Sequence, residues 1–192
     1  MEIVFATGNK DKLNQIKLML DGINLKTPED FGYDSFEVVE DGDTLRENAY
    51  KKAITLYKLV KKPVIADDTG LFVKSLDNRP GVKSHRYAGE NASYKDNRDK
   101  LLSELEDKLD RYAYFQTCLC YIDNNEGVHY FEGNLEGTIT YKESGAYDFG
   151  YDQIFMPKDY KNTLGEMTKE EINLISHRAI AFNKFKEYLS EY

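Results

Sequence analysis

The apolar positions follow one rhythm in the first half of the chain and another in the second. Ile3 to Ala6 is a short, wholly apolar run, as expected of a strand buried on both faces. Thr7-Gly8-Asn9 breaks it, and Asn9 is a fair N-cap for a helix carrying Leu13, Ile16 and Leu20 on one side. Gly22 is a plausible stop, and Ile23 to Lys26 could form a short strand. The stretch from Pro28 to Gly42 reads as an acid-rich loop. A second helix is predicted from Thr44 to Val60, capped by Asp43 or Thr44, with Leu45, Ala49, Ala53, Leu56 and Val60 as its stripe and Pro63 as its stop. Val64 to Ala66 is a second buried strand, expected to end at Asp67-Asp68-Thr69-Gly70. Asn78 to Gly81 is turn chemistry, and a polar helix follows near Ser93 to Leu109.

The period then becomes two. Arg111 to Asp123 and Val128 to Glu132 flank Asn124-Asn125-Glu126-Gly127, a β-hairpin pattern, and Thr138 to Tyr141 is a further strand candidate. Thr168 and Glu171 fit a capping box that opens a helical turn. Ser176 restarts a final helix with Ala179, Phe182, Phe185 and Leu189 facing inward. Helices alternating with strands early, and antiparallel strands later, predict an α/β fold with a mixed sheet. No repeat or linker interrupts the chain, so residues 1–192 read as one domain, with room for two lobes.

Composition narrows the classes. With 41% apolar and 31% charged residues, the chain has the make-up of a globule rather than a disordered tail. No apolar run approaches the roughly 18 residues of a membrane span, so no membrane partner is expected. Met1 leads directly into the first strand-like run, and two cysteines make no disulfide scaffold; both point to the cytoplasm. The net charge of −8 and the absence of a basic stripe argue against nucleic acid as a partner. An anionic ligand would need a local device: a helix N-terminus, a few aimed lysines or a metal.

Five constellations could carry chemistry. Thr7-Gly8-Asn9-Lys10-Asp11-Lys12 lies between a buried strand and a helix, where free N–H groups, a hydroxyl, an amide and a lysine suit a phosphate; the plain alternative is a strand-to-helix turn with an Asn cap. Asp67-Asp68-Thr69-Gly70 follows a strand, where α/β sheets place ligands; Mg²⁺ would explain the paired carboxylates, one of which could deprotonate water, and a solvated turn is the alternative. Glu37 and Glu40-Asp41 precede the second helix, where the helix dipole favours acids anyway, and Asn48 and Lys52 share a face of that helix. Asp148-Phe149-Gly150-Tyr151-Asp152 could stack and hydrogen-bond a base, or plug the core; a kinase reading fails because no Gly-rich loop or His-Arg-Asp loop accompanies it. Ser176-His177-Arg178 offers the guanidinium fork, suited to a base carbonyl or to a carboxylate such as Asp152. Cys118 and Cys120 share a strand face without a second ligand pair, so they read as packing residues, and His85 and His129 have no spacing partner.

Taken in order, Thr7-Gly8-Asn9-x-x-Lys12, Glu47-Asn48-Ala49 with Lys52, Ala66-Asp67-Asp68-Thr69-Gly70-Leu71, Pro80-Gly81, Phe149-Gly150-Tyr151-Asp152 and Ser176-His177-Arg178 resemble the inosine triphosphate pyrophosphatase family, the noncanonical purine nucleoside triphosphate (XTP/dITP) diphosphatases. The resemblance implies an elongated, twisted mixed β-sheet flanked by helices, with two lobes and a central active-site cleft, in a homodimer. It implies Mg²⁺-dependent hydrolysis of ITP, dITP and XTP to monophosphate and pyrophosphate. The family's phosphate loop falls on Thr7, Gly8, Asn9, Lys10, Asp11 and Lys12, and its phosphate lysine on Lys52. Its general base, also a metal contact, falls on Asp68; a further acidic metal contact falls on Glu40, with Asp67 beside the pair. Thr69 stands where a Ser is frequent, and the base-reading segment falls on Phe149, Gly150, Tyr151 and Asp152, closed by His177 and Arg178.

Donors aimed at a 6-oxo group would be left unpaired facing the amino group of ATP, which would supply the discrimination. Excluding GTP needs a further rule that the sequence does not display. One position departs from the family: Ile172 stands where a lysine usually follows the Glu-Glu pair, and Lys169 is the nearby lysine that could reach over. Rival readings are a pyrophosphatase for modified pyrimidine triphosphates, a nucleotide sensor without turnover, and a nucleic-acid-binding module.

Overall fold

The computed structural model describes residues 1–191, which form a mixed α/β architecture. The chain divides into two compact units. The first comprises residues 1–68, 117–133 and 178–192; the second comprises 69–116 and 134–177. The strands are β1 (Glu2–Phe5), β2 (Asn24–Lys26), β3 (Val64–Val73), β4 (Arg79–Gly81), β5 (Tyr112–Ile122), β6 (Val128–Ile139) and β7 (Phe155–Pro157). The sheet order is β2-β1-β3-β5-β6-β7, with β4 beside β3. β1 pairs in parallel with β2 and with β3, while β3–β4 and β6–β7 are antiparallel.

In the first unit, β1 is apolar because both faces are covered. Ile3 and Phe5 join Ile16 and Met19 of α1 (Lys10–Met19) and Ala181, Phe182 and Phe185 of α5 (His177–Ser190). Val4 faces the other way, among Ala49, Ala53 and Leu56 of α2 (Leu45–Val60). β3 alternates in the same manner: Ile65 lies in the α1/α5 layer, and Val64 and Ala66 in the α2 layer. Both helix starts follow the expected chemistry. The Asn9 side chain accepts from the N–H groups of Asp11 and Lys12, and Thr44 accepts from that of Glu47. α2 closes on Lys61 in the left-handed region, φ 51°, before Pro63 is reached.

In the second unit, Leu71, Val73, Leu101, Phe115, Ile154, Phe155 and Ile172 share one core. Here α3 (Tyr94–Glu104) is capped by Ser93, close to where the polar helix was expected to start, but ends before Leu109. α4 (Lys169–Ile175) starts with the expected Thr168–Glu171 capping box.

Three sequence expectations are corrected. The strand at Val64 does not end at Asp67; it runs on through Asp67-Asp68-Thr69-Gly70 to Val73. Carboxylates inside a strand are tolerated because cations meet them there, as described below. The turn expected at 78–81 is made by Asp77 and Asn78, both at positive φ, and Arg79–Gly81 pairs as β4, with Gly81 also at positive φ. Thr138 and Ile139 belong to the end of a long β6 rather than to a separate strand, and β7 was not foreseen.

Candidate active site

In the first unit, β1 ends at Phe5, so Thr7 and Gly8 lie between the strand and α1. The Thr7 hydroxyl accepts from the Asn9 N–H, which fixes the turn. A Cβ on Gly8 would meet nothing within 4 Å, leaving open space above this backbone. Lys10 and Asp11 are exposed on the first turn of α1, whereas Lys12, one step further round, is directed inward.

Lys12 Nζ lies 3.3 Å from Asp67 Oδ2. The Arg178 guanidinium approaches the same oxygen at 3.4 Å and donates to Gln15 Oε1 at 2.6 Å. In this unit Arg178 thus meets the carboxylate of Asp67. Asp67 is 2% exposed. Burial alone would raise its pKa, but Lys12, Arg178 and Lys52 outweigh it and hold the carboxyl well below the usual range. Lys12 is crowded in turn: burial, Lys52 and Arg178 lower its pKa against the pull of Asp67 and Asp68.

Asp68 is the next residue on β3 and has a different setting. Lys52 Nζ donates to Glu40 Oε1 at 2.8 Å and to the Asp67 carbonyl at 2.6 Å, and lies 3.9 Å from Asp68 Oδ1. Burial pushes the Asp68 carboxyl up to about 6; Glu40 adds to that, while Lys52, Lys12 and Asn48 oppose it. Burial disfavours a charged Lys52, yet Asp68, Glu40 and Asp67 more than compensate and raise its pKa. Asn48 is fully buried on α2, and its Oδ1 accepts from the Gly42 N–H at 2.8 Å. That bond anchors the loop that carries Glu40 and Asp41. Glu37 is exposed.

In the second unit, Thr69 continues β3 half-buried. Phe149 packs edge-on to Tyr94 at 5.6 Å and stacks on Tyr147 at 6.2 Å. Gly150 adopts φ +53°, and the buried Tyr151 donates its hydroxyl to the Ser84 carbonyl at 2.6 Å. Asp152 is buried at the start of a single 3₁₀ turn. His177 is buried and stacks on Phe115 at 4.8 Å. Ile172 packs in the core of this unit, while Lys169 brings its ammonium to 5.8 Å from the Tyr147 ring centre, beside the aromatic segment.

Three participants escaped the sequence reading. Gln15 lies one turn after Lys12 on the same helix face, a spacing that could have flagged it. Asn48 was seen as part of a motif, but its bond to the loop was not. Arg98, nearly fully buried on a helix read as polar, gave no periodic signal.

Among the described residues, no cluster of three or more His, Cys, Asp or Glu side chains is arranged to hold a metal. Glu40 and Asp68 nonetheless face the same lysine, and the charge of Glu40 makes ionisation of Asp68 costlier. Hard oxygen donors of this kind, one or two in number, are what Mg²⁺ takes from a protein when phosphates supply the rest. The residues therefore fit that ion. No helix among the described residues is long and apolar enough to cross a membrane.

Residues 3–188 match the model of the Ham1 family. A dITP/XTP pyrophosphatase of Clostridium tetani is 40% identical, over 99% of this chain and 96% of its own length. One from a Thermoanaerobacter species is 43% identical, over 98% and 96%. The solved structure of the Staphylococcus aureus Ham1 protein superposes with a TM-score of 0.91 at 36% identity, covering 100% of this chain and 99% of that one. The chain is matched almost end to end, and this protein belongs to the Ham1 family.

Proposed function

We propose that this chain hydrolyses noncanonical purine nucleoside triphosphates, dITP, XTP and ITP, at the α–β phosphoanhydride, releasing the monophosphate and pyrophosphate. The observation that carries the reading is the pair of adjacent carboxylates on β3, one ion-paired by Lys12 and Arg178 and one pushed up to about 6. The first suits an anchor and the second a base. The names of the relatives, dITP/XTP pyrophosphatases, support the substrate class.

In this reading the free N–H groups at the start of α1, with Lys12 and Lys52, receive the polyphosphate. Lys12, Lys52 and Arg178 crowd around Asp67, so an incoming polyanion relieves repulsion among them. Asp68 orients a water and takes its proton, in line with the leaving pyrophosphate. Glu40 and Asp68 would hold Mg²⁺, which, when bound, neutralises phosphate charge and lowers the pKa of bound water. Asp67 keeps Lys12 and Arg178 in place through the cycle. Phe149 and its neighbours would stack the base, with Asp152, His177 and Arg178 reading its edge. Ile172 is turned into the core, and Lys169 stands beside the aromatic segment, over the Tyr147 ring. A homodimer and a cytoplasmic site of action are part of the proposal on the strength of the family resemblance.

The test is pyrophosphate release with Mg²⁺ from dITP, XTP, ITP, ATP, GTP and dUTP side by side. Pyrophosphate with a strong preference for the first three is expected. Orthophosphate as the primary product, or equal rates on all six, would overturn the bond assignment or the base preference respectively.

A further inference from the structure

Among the described residues Arg98 is the largest fully buried side chain, and it lies outside the sequence motifs of the site. It sits on α3, and its three hydrogen bonds all go to one segment. Nε donates to Glu143 Oε1 at 2.7 Å, and Nη1 donates to Asp148 Oδ1 at 2.8 Å and to the Gly150 carbonyl at 2.8 Å. A single guanidinium thus grips the stretch 143–150 at both ends. Tyr94, four residues earlier on the same helix face, packs its ring against Phe149. Phe149 lies between the two Arg98 attachments at Asp148 and Gly150.

The geometry explains why arginine fills this position. A planar fork can hold a side-chain carboxylate and a backbone carbonyl at once, which an ammonium on a flexible stem does poorly. The carboxylate partners are partly exposed, 30% at Glu143 and 59% at Asp148. Fold stability gains little from such pairs, because water screens them. Their use is to fix where the segment stands. The far side is held as well: the Tyr147 N–H donates to the Gly165 carbonyl, and Thr163 Oγ1 donates to that of Ser144. Gly145, at φ +102°, packs so tightly on the Gly165 backbone that no side chain fits.

We propose that Arg98 is the positioning residue of the aromatic base-reading segment, and so a determinant of which purine is accepted. This rests on the reading of Phe149 as a base-stacking residue given above. Arg98 does not touch substrate; it acts by fixing Asp148 and Gly150 and, with Tyr94, the ring between them. The displacement that follows its loss should weaken base discrimination more than the chemical step, since the phosphate machinery lies in other residues.

The experiment compares the full-length protein with Arg98→Met, Arg98→Lys and Phe149→Ala in steady-state kinetics on dITP and dATP. Arg98→Met is expected to raise KM for dITP about tenfold, to change kcat less than about threefold, and to cut the dITP-over-dATP preference about tenfold. Arg98→Lys should recover part of that preference. Phe149→Ala should lose it too, and the double variant should lose little more than either single one. An Arg98→Met protein with wild-type KM and preference, beside a Phe149→Ala protein that has lost both, overturns the positioning role and leaves the base-stacking reading standing. Unchanged preference in Phe149→Ala overturns that reading itself. Should Arg98→Met fail to fold, the double variant Glu143→Gln/Asp148→Asn removes the exposed partners instead. A preference lowered about threefold then supports the proposal, and an unchanged one overturns it.

Discussion

Asp67 and Asp68 are consecutive residues of one strand, yet their carboxyl groups are driven in opposite directions. Side chains alternate across a strand, so Asp67 meets Lys12 of α1 and Arg178 of α5, while Asp68 meets Lys52 of α2 and the charge of Glu40. One carboxylate is surrounded by cations, and the other shares its cation with a second acid.

The same substitution should therefore have opposite effects at the two positions. Asp68 binds its proton more tightly folded than unfolded, so its contribution to stability falls as pH rises from about 4 through about 6. Above that window the ionised group costs on the order of 3 kcal/mol. In metal-free protein, Asp68→Asn should raise the melting temperature at pH 8 and much less at pH 5. Asp67 is depressed, so its contribution is present at neutral pH and lost as pH falls below about 4. Asp67→Asn should lower the melting temperature at pH 7, by a free energy on the order of 3 kcal/mol, because Lys12 and Arg178 lose their anion. Thermal melts of both variants across pH check this; shifts of one sign at both positions would contradict it.

The stabilised Asp68→Asn protein should also be the inactive one. Its kcat is expected to drop by about three orders of magnitude or more, with nucleotide affinity within a few-fold of wild type. The acid limb of the wild-type rate profile should lie at about 6 or below, since a bound cation favours the carboxylate. Rapid-quench turnover with equilibrium binding separates the two quantities.

Mg²⁺ should stabilise the folded protein by mass action, raising its melting temperature in a concentration-dependent way. Glu40→Gln should shrink that increase, and a chelator should abolish turnover while leaving the fold intact. Differential scanning fluorimetry over a Mg²⁺ series is sufficient, and an equal response in Glu40→Gln would remove Glu40 from the site.

Asn48→Ala should loosen the acidic loop rather than the helix. It strands the Gly42 N–H and costs roughly 1–3 kcal/mol. Amide exchange should quicken at residues 40–43 before it quickens in α2.

Much of this was legible in the chain. Asn9, Thr44 and Thr168 announce their helices because a cap is a local bond between near neighbours. The apolar runs gave the buried strands for the same reason. The continuation of β3 through Asp67 and Asp68 was not legible, because what allows it is supplied by Lys12, Lys52 and Arg178, distant in sequence. Arg98 was invisible for a related reason: its partners lie 45 to 52 residues further on. Local chemistry writes itself into spacing, and long-range pairing does not.

The first compact unit is assembled from three separate stretches, the last of which begins at Arg178. A chain emerging from the ribosome therefore presents Lys12 and Asp67 long before the guanidinium that completes their cluster, and before Phe182 and Phe185 can cover the apolar face of β1. Synthesis that stops short of the final helix leaves an open core together with an incompletely paired Asp67. A truncated product is thus exposed to proteolysis as well as impaired at its charge cluster.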